Sequence, residues 1–206
     1  MPWPTTPPPM DTPSTDELDR ADLGRLADGH DAALNDLMDR HGERLFHYLV
    51  RTLQDETDAA DLAQETFVRV YQNRQKYDPR RKFSTWLYTI ATNLCRDRIR
   101  WRGRHPHVSL HAEPSDNGPS LSDTLPSPAC PPDEMLAAEE RAEAVRRAVQ
   151  ALPKELRLPL VLAEYEDQSH AEIAAVLNCT AKAVEMRLYR ARQQLRATLA
   201  SLLVNA

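Results

Sequence analysis

Trp86, Thr89, Asn93, Arg96 and Arg100 recur at steps of three and four residues, so one face of one helix carries an aromatic ring, an amide and two guanidiniums. Side chains of these types recognise nucleic acid. A ring stacks on an unpaired base, an amide offers donors and an acceptor to a base edge, and arginine pairs with phosphate. A basic loop, Tyr77-Asp78-Pro79-Arg80-Arg81-Lys82, precedes that face and is closed by a proline turn. A second basic set, Lys182, Arg187 and Arg190, falls with Glu185 and Met186 in the first half of the last helical stretch, just after Thr180. Asp61, Gln64 and Glu65 are of the opposite kind, two carboxylates and an amide outside the apolar stripe of their helix. All of this is recognition chemistry. The sequence has no glycine-rich phosphate loop and no recognisable Ser/His/Asp or Cys/His arrangement, and the spacing of His105, His107 and His111 beside Cys95 or Cys130 fits no common zinc module. The expectation is a protein that is not an enzyme and uses no cofactor or metal.

The charge distribution sharpens that expectation. The 206 residues carry a net charge of −5, which argues against a general DNA-coating protein. Residues 11–65 hold 15 acidic and 5 basic side chains, residues 80–104 hold 8 basic and 1 acidic, and residues 182–196 hold 5 basic and 1 acidic. Two anionic partners, or one long one, and a separate partner for the acidic half are implied. Three widely spaced cysteines with no C-x-x-C point to reduced thiols in a cytoplasm. No apolar run approaches the roughly 20 residues needed to span a bilayer, and the N-terminus lacks the pattern of a signal peptide.

The elements that must position these groups are helices. Only five glycines occur, among long stretches rich in Ala, Leu, Glu and Arg. Prolines crowd residues 1–16, an arm, and seven more fall in 105–133, where no amphipathic period survives. Between them Leu34, Leu37, Met38, His41, Leu45, Tyr48 and Leu49 form one core stripe. Asp55 to Asp58 supply caps for the next helix, which buries Leu62, Ala63, Phe67 and Val70. Ser84 is positioned to cap a helix running to about Arg102 with Leu87, Ile90, Ala91 and Leu94 inside. Helix resumes near Glu134, with Val145, Ala148, Val149 and Leu152 as its stripe and Pro153 in the first turn of the helix after it. Ser169 and Glu172 make a capping box for a short helix, Asn178-Cys179-Thr180 a tight turn, and Thr180 caps a longer basic helix. A short helix, a tight turn and a basic helix is the sequence shape of a helix-turn-helix. The chain therefore reads as all-α: two helical domains joined by a flexible proline-rich linker.

DLAQETF, FSTWLYTIATN and EIAAVLNCTAKAVEMRLYRAR, in that order and spacing, resemble the extracytoplasmic-function type of sigma factor. The resemblance implies an arm and lead-in over 1–21, a sigma-2 helical bundle over 22–104, a linker over 105–135, and a sigma-4 domain carrying the helix-turn-helix over 136–203. It implies binding to core RNA polymerase and promoter-specific initiation of transcription, with promoter DNA and an anti-sigma factor as further partners. Asp61, Gln64 and Glu65 match the segment that docks on the β′ clamp helices. Tyr77, Arg80, Arg81 and Lys82 match the loop that captures a flipped base of the minus-ten element, with Asn93 near that pocket. Arg96, Arg98, Arg100, Arg102 and Arg104 alternate and so spread around their helix; two or three of them, Arg96 and Arg100 foremost, are expected on the phosphate backbone and the rest in solvent. Trp86 fits core packing and a DNA-facing role equally well. Thr180, Lys182, Glu185, Arg187 and Arg190 fall where the minus-thirty-five element is read, and Arg192 and Arg196 are available to phosphates or the β flap. Glu185 and Met186 depart from the usual basic residue and serine, which leaves the contact at Glu185 open. Two rivals remain: a helix-turn-helix regulator acting without polymerase, and a sigma mimic that titrates an anti-sigma factor. A further expectation is that the free chain binds DNA poorly, because its acidic half repels DNA and its domains can fold on each other.

Overall fold

The computed structural model describes residues 13–105 and 132–200, with the backbone alone described over 132–138. The proline-rich arm up to residue 12, most of the linker, and His107, His111 and Cys130 lie outside the described residues. Eight α-helices follow in order: α1 (Thr15–Ala27), α2 (Ala33–Leu53), α3 (Glu56–Gln72), α4 (Phe83–Arg104), α5 (Pro132–Ala151), α6 (Lys154–Glu164), α7 (His170–Leu177) and α8 (Ala181–Thr198). A single 3-10 turn, Arg74–Lys76, leads into the basic loop, and no strand occurs among the described residues.

Side-chain caps set four of the helix starts. Ser14 and Glu17 form a reciprocal capping box at α1, and Ser169 and Glu172 do the same at α7. Asp55 accepts from the Asp58 amide at α3, and Thr180 from the Ala183 amide at α8. Ser84 does not cap α4. That helix begins two residues earlier, at Phe83, with Lys82 at the cap position and no side-chain cap bond, because Phe83 is itself a core residue and is drawn into the first turn. α4 also runs two residues beyond the expected Arg102. Pro153 occupies the N-cap of α6 rather than its first turn, and Pro159 lies buried inside that helix. Asn178 ends α7 in the left-handed region (φ 51°), the conformation that turns the chain sharply into α8 and that asparagine tolerates better than most residues.

The first bundle packs α1 to α4 around Leu26, Leu37, Leu45, Tyr48, Leu49, Val70, Phe83, Leu87 and Ala91. Two members of the predicted stripes lie at the edge and stay exposed, Met38 at 40% and Val145 at 36%. Inside the core the hydroxyls of Tyr48 and Thr92 share a hydrogen bond of 2.7 Å, and Thr66 Oγ1 donates to the Leu62 carbonyl. α1 is fastened by charge. Asp19, 1% exposed, accepts from Arg40 at 2.9 Å and lies 2.8 Å from His41 Nε2, while Asp22 pairs with Arg25 and Arg40. The second bundle packs α6, α7 and α8 around Leu160, Val161, Leu162, Ile173, Val176, Val184 and Leu188.

The two bundles touch. α4 lies against α7 and α2 against α6, and the buried apolar residues of both join in one cluster.

Candidate nucleic-acid and partner interfaces

The acidic face stands on α3. Its apolar side is buried by Leu62, Phe67 and Val70, which turns Asp61 and Gln64 outward and leaves Glu65 half-buried. The three side chains expected there are thus on one surface. Sequence reasoning missed what surrounds them. A groove of about 560 Å³ runs between α3 and α4, lined on the far side by Asp97, Arg98, Trp101 and Arg104, and Val68 adds an exposed apolar side chain one turn on from Gln64. Glu65 Oε1 accepts from Arg69 Nε at 2.8 Å.

At the N-terminus of α3, Asp58 pairs with both Arg98 and Arg102, and Asp55 accepts from Arg102 at 2.6 Å. Backbone and arginine hydrogen bonds hold the Asp55 carboxyl below its ordinary value. Two of the five alternating arginines of α4 are therefore structural, tying α4 to α3. The sequence shows five equivalent arginines because the carboxylates that distinguish them lie forty or more residues away. Arg100 sits 3.4 Å from Asp97 on the surface.

The basic loop is held closed by its own groups. Tyr77 packs its ring against Trp86 at 5.2 Å and donates its hydroxyl to the Arg81 carbonyl at 2.5 Å. Burial pushes the Tyr77 phenol up. Arg20 of α1 donates to the Pro79 carbonyl at 3.1 Å, so α1 buttresses the loop. Arg80 is paired with Asp78 at 3.0 Å, and Lys82 reaches Glu172 at 3.0 Å and Asp16 at 3.7 Å. Trp86 is half-buried: its ring packs against both Tyr77 and Phe83, and it also lines a surface notch. Asn93 is exposed on that notch.

Several of these groups meet the second bundle. Besides the Lys82–Glu172 pair, Arg96 Nη2 donates to the Leu177 carbonyl at 3.3 Å, so this arginine, expected on nucleic acid, is turned toward α7. Glu166, 3% exposed, accepts from the Tyr88 hydroxyl at 2.5 Å, with Arg44 at 3.5 Å and Arg51 at 3.9 Å. Arg51 also lies over the Tyr165 ring, 4.3 Å from its centre. Burial raises the Glu166 carboxyl above its ordinary value despite those two guanidiniums.

On α8, Lys182, Glu185, Met186 and Arg190 are exposed at the outer face and Arg187 is half-buried. Lys182 Nζ lies 2.9 Å from both Glu185 oxygens, which cancels one positive charge with one negative and holds the Glu185 carboxyl below its ordinary value. Arg187 leans back to Cys179 Sγ at 3.7 Å, and Thr180 Oγ1 is occupied as the α8 cap. Arg190 has no ion-pair partner among the described residues. Tyr189, 57% exposed, is a large side chain on this helix that the periodicity did not single out. No helix among the described residues is long and apolar enough to cross a membrane.

Comparison with known proteins agrees with this arrangement. The family model for Sigma-70 region 2 matches residues 37–105, and that for Sigma-70 region 4 matches residues 142–195. The ECF RNA polymerase sigma factor SigW of Bacillus subtilis (strain 168) is 33% identical over 181 residues, spanning 87% of this chain and 96% of that protein. CnrH, solved in complex with the cytosolic domain of CnrY, superposes with a TM-score of 0.66 at 29% identity, covering 90% of this chain and 99% of that one. RpoE of Bartonella quintana, solved with the anti-sigma factor NepR, shares the fold with a TM-score of 0.63 at 19% identity, covering 81% and 96%. Both halves of the chain match in order and nearly the whole length of a curated relative is spanned, so this protein belongs to the sigma-70 family as an ECF sigma factor.

Proposed function

We infer that the chain binds core RNA polymerase and directs it to promoters, as a subunit that contributes binding energy and no bond chemistry. The observation that carries this reading is the separation of surfaces: an outward carboxylate-and-amide face on α3, an aromatic-basic face on the loop and α4, and a helix-turn-helix on α7 and α8. Asp61, Gln64 and Glu65 dock on a basic coiled coil of the polymerase, the β′ clamp helices. Tyr77, Arg80, Arg81, Lys82, Trp86, Asn93, Arg96 and Arg100 hold the melted minus-ten strand. Thr180, Lys182, Glu185, Arg187 and Arg190 serve the minus-thirty-five element, and α8 beyond them meets the β flap. The working units are those bounded at 22–104 and 136–203, and the site of action is the cytoplasm, where polymerase and reduced thiols are found. An anti-sigma factor is the regulatory partner that the family relationship adds, and the complex of CnrH with another protein's cytosolic domain supports it.

The test is run-off transcription with purified core polymerase on genomic fragments that include the region upstream of the chain's own gene. Initiation at defined start sites that depends on the protein is expected, and replacing Gln64 and Glu65 together is expected to abolish polymerase capture. A helix-turn-helix regulator acting alone would keep its operator affinity in that variant and would not initiate.

A further inference from the structure

The match to Sigma-70 region 2 begins at residue 37, so α1 lies wholly ahead of it. This helix nevertheless reaches the basic loop. Asp16 lies 3.7 Å from Lys82 Nζ, Arg20 Nε donates to the Pro79 carbonyl at 3.1 Å, and the Ala27 carbonyl accepts from Gln75 Nε2 at 2.6 Å. Positions 16, 20 and 27 are four and seven residues apart and so share one face of α1. They meet the turn that leads into the loop, its middle and its last residue. The neighbouring face of α1 is anchored. Leu23 and Leu26 lie in the core, and the buried Asp19 carboxylate accepts from Arg40 Nε at 2.9 Å and lies 2.8 Å from His41 Nε2. The His41 ring stands edge-on to Phe83 at 5.0 Å, Phe83 meets Trp86 at 6.2 Å, and Trp86 meets Tyr77 at 5.2 Å. Asp19 therefore supports the loop by two routes, through α1 and through a file of rings that ends on Tyr77.

A surface loop that samples many shapes binds only through the fraction in the receiving one. We propose that α1 is a brace that holds the basic loop in its receiving shape, with Arg20 as the positioning residue and Asp19 as the anchor. Arg20 acts on the loop backbone. Its partner, the Pro79 carbonyl, is midway in the chain between Tyr77, whose ring packs on Trp86, and Arg81, whose carbonyl takes the Tyr77 hydroxyl. The two ends are closed by their own bond, and Arg20 fixes the backbone between them. A loop held ready in this way loses less conformational freedom when a base enters. Arg20 and Pro79 are both exposed, so their bond competes with water and its effect is modest. This rests on the reading of the loop as a base-capture element and adds to it a support from outside the matched region.

The test uses polymerase reconstituted with the full chain and a promoter fragment, defined by run-off transcription, whose minus-ten region is left single-stranded. Each base of the exposed strand is replaced in turn by an abasic nucleotide, and affinity is measured. With the wild-type chain one abasic position is expected to weaken binding, which marks the captured base. Arg20→Ala is expected to weaken binding to the intact fragment about two- to tenfold, the range for one hydrogen bond, and to have no effect on the fragment abasic at that position. The two losses overlap because both act on one capture event. Arg20→Lys keeps a donor and is expected to recover wild-type affinity, and Gln75→Ala, which removes the bond to the Ala27 carbonyl, to repeat the pattern of Arg20→Ala. Equal losses in Arg20→Ala on the intact and abasic fragments would overturn the brace, because neither a general loss of stability nor a lost phosphate contact distinguishes them. Wild-type affinity in Arg20→Ala would overturn it too, and would leave the base-capture reading intact. Indifference of the wild-type chain to every abasic position would overturn the base-capture reading and the brace with it.

Discussion

Tyr88 of α4 donates its hydroxyl to Glu166, the residue two beyond the end of α6, at 2.5 Å in the buried seam between the two helical bundles. Around that bond the seam is closed by Arg44, Arg51, Lys82 and Arg96, so it consumes cations from the same half of the chain that is proposed to meet DNA. Removing the acceptor would leave the Tyr88 hydroxyl unsatisfied in the closed form and Arg51 without its carboxylate, while Arg44 keeps Asp167 at 3.2 Å. Glu166→Ala is therefore expected to shift the balance toward separated bundles by about 1–3 kcal/mol, the cost of an orphaned buried group, which is a factor of roughly five to a hundred. Energy transfer between dyes at positions 39 and 197, both exposed, checks it. Unchanged transfer efficiency would show that the seam does not depend on this bond.

Protonation gives the seam a pH dependence with two opposing limbs. Burial raises Glu166 in the closed form, so its contribution is fully present below the ordinary glutamate value of 4.5 and is lost as pH rises through the raised value. Glu172 behaves the other way. The Ser169 and Lys82 bonds outweigh its burial and hold it below 4.5, so its bridge to Lys82 is present above that value and lost as pH falls. Arg44 and Arg51 also face Glu166, and burial keeps the Tyr88 phenol neutral. The closed fraction is expected to be greatest near pH 4.5 and to fall on both sides. Glu166→Gln, which keeps an acceptor for Tyr88, is expected to flatten the upper limb alone. Energy transfer that is constant with pH in the wild-type chain would contradict this.

The Asp58 carboxylate is the hub of the α3–α4 contact, binding Arg98 and Arg102 at once. Asp58→Ala leaves both guanidiniums facing a surface built for a carboxylate. We expect a loss of about 1–3 kcal/mol in unfolding free energy, read as a lower denaturant midpoint. Asp61→Ala, on the exposed face of the same helix, serves as the control and is expected to stay within roughly 0.5 kcal/mol of wild type.

On α8 the Lys182–Glu185 pair occupies the Lys182 ammonium within the helix. Glu185→Gln should release it. Affinity of the reconstituted polymerase for the minus-thirty-five region is expected to rise, and the slope of log affinity against log salt to steepen by about one. A loss of affinity in that variant, confined to one base pair, would instead identify Glu185 as a reader of cytosine.

Much of the fold was legible because its signals are local. The Ser169–Glu172 box and the Thr180 cap each lie within one helical turn, and the stripe through Leu37, Leu45, Tyr48 and Leu49 lies within a single helix. Ser84 and Met38 were misplaced by the same local logic: the demand to bury Phe83 moved one helix start, and Met38, in step with the stripe, stays 40% exposed. The site was legible as residue types and not as pairings. Arg96, Arg98, Arg100 and Arg102 look alike in sequence, and only the folded chain shows one bound to the Leu177 carbonyl, two to Asp55 and Asp58, and one beside Asp97 on the surface. Such partners lie tens of residues away or in the other bundle, beyond the reach of any periodicity.

The loop and helix cations that are satisfied inside the fold have a kinetic consequence. A protein that displays its positive charge collects along any duplex, because released counterions reward contact regardless of sequence. This chain presents Arg80 already matched by Asp78, Lys82 by Glu172 and Lys182 by Glu185, within an acidic whole. Free copies are therefore expected to linger little on the chromosome, so that the genome-wide search for targets would pass from the subunit to the assembled machine.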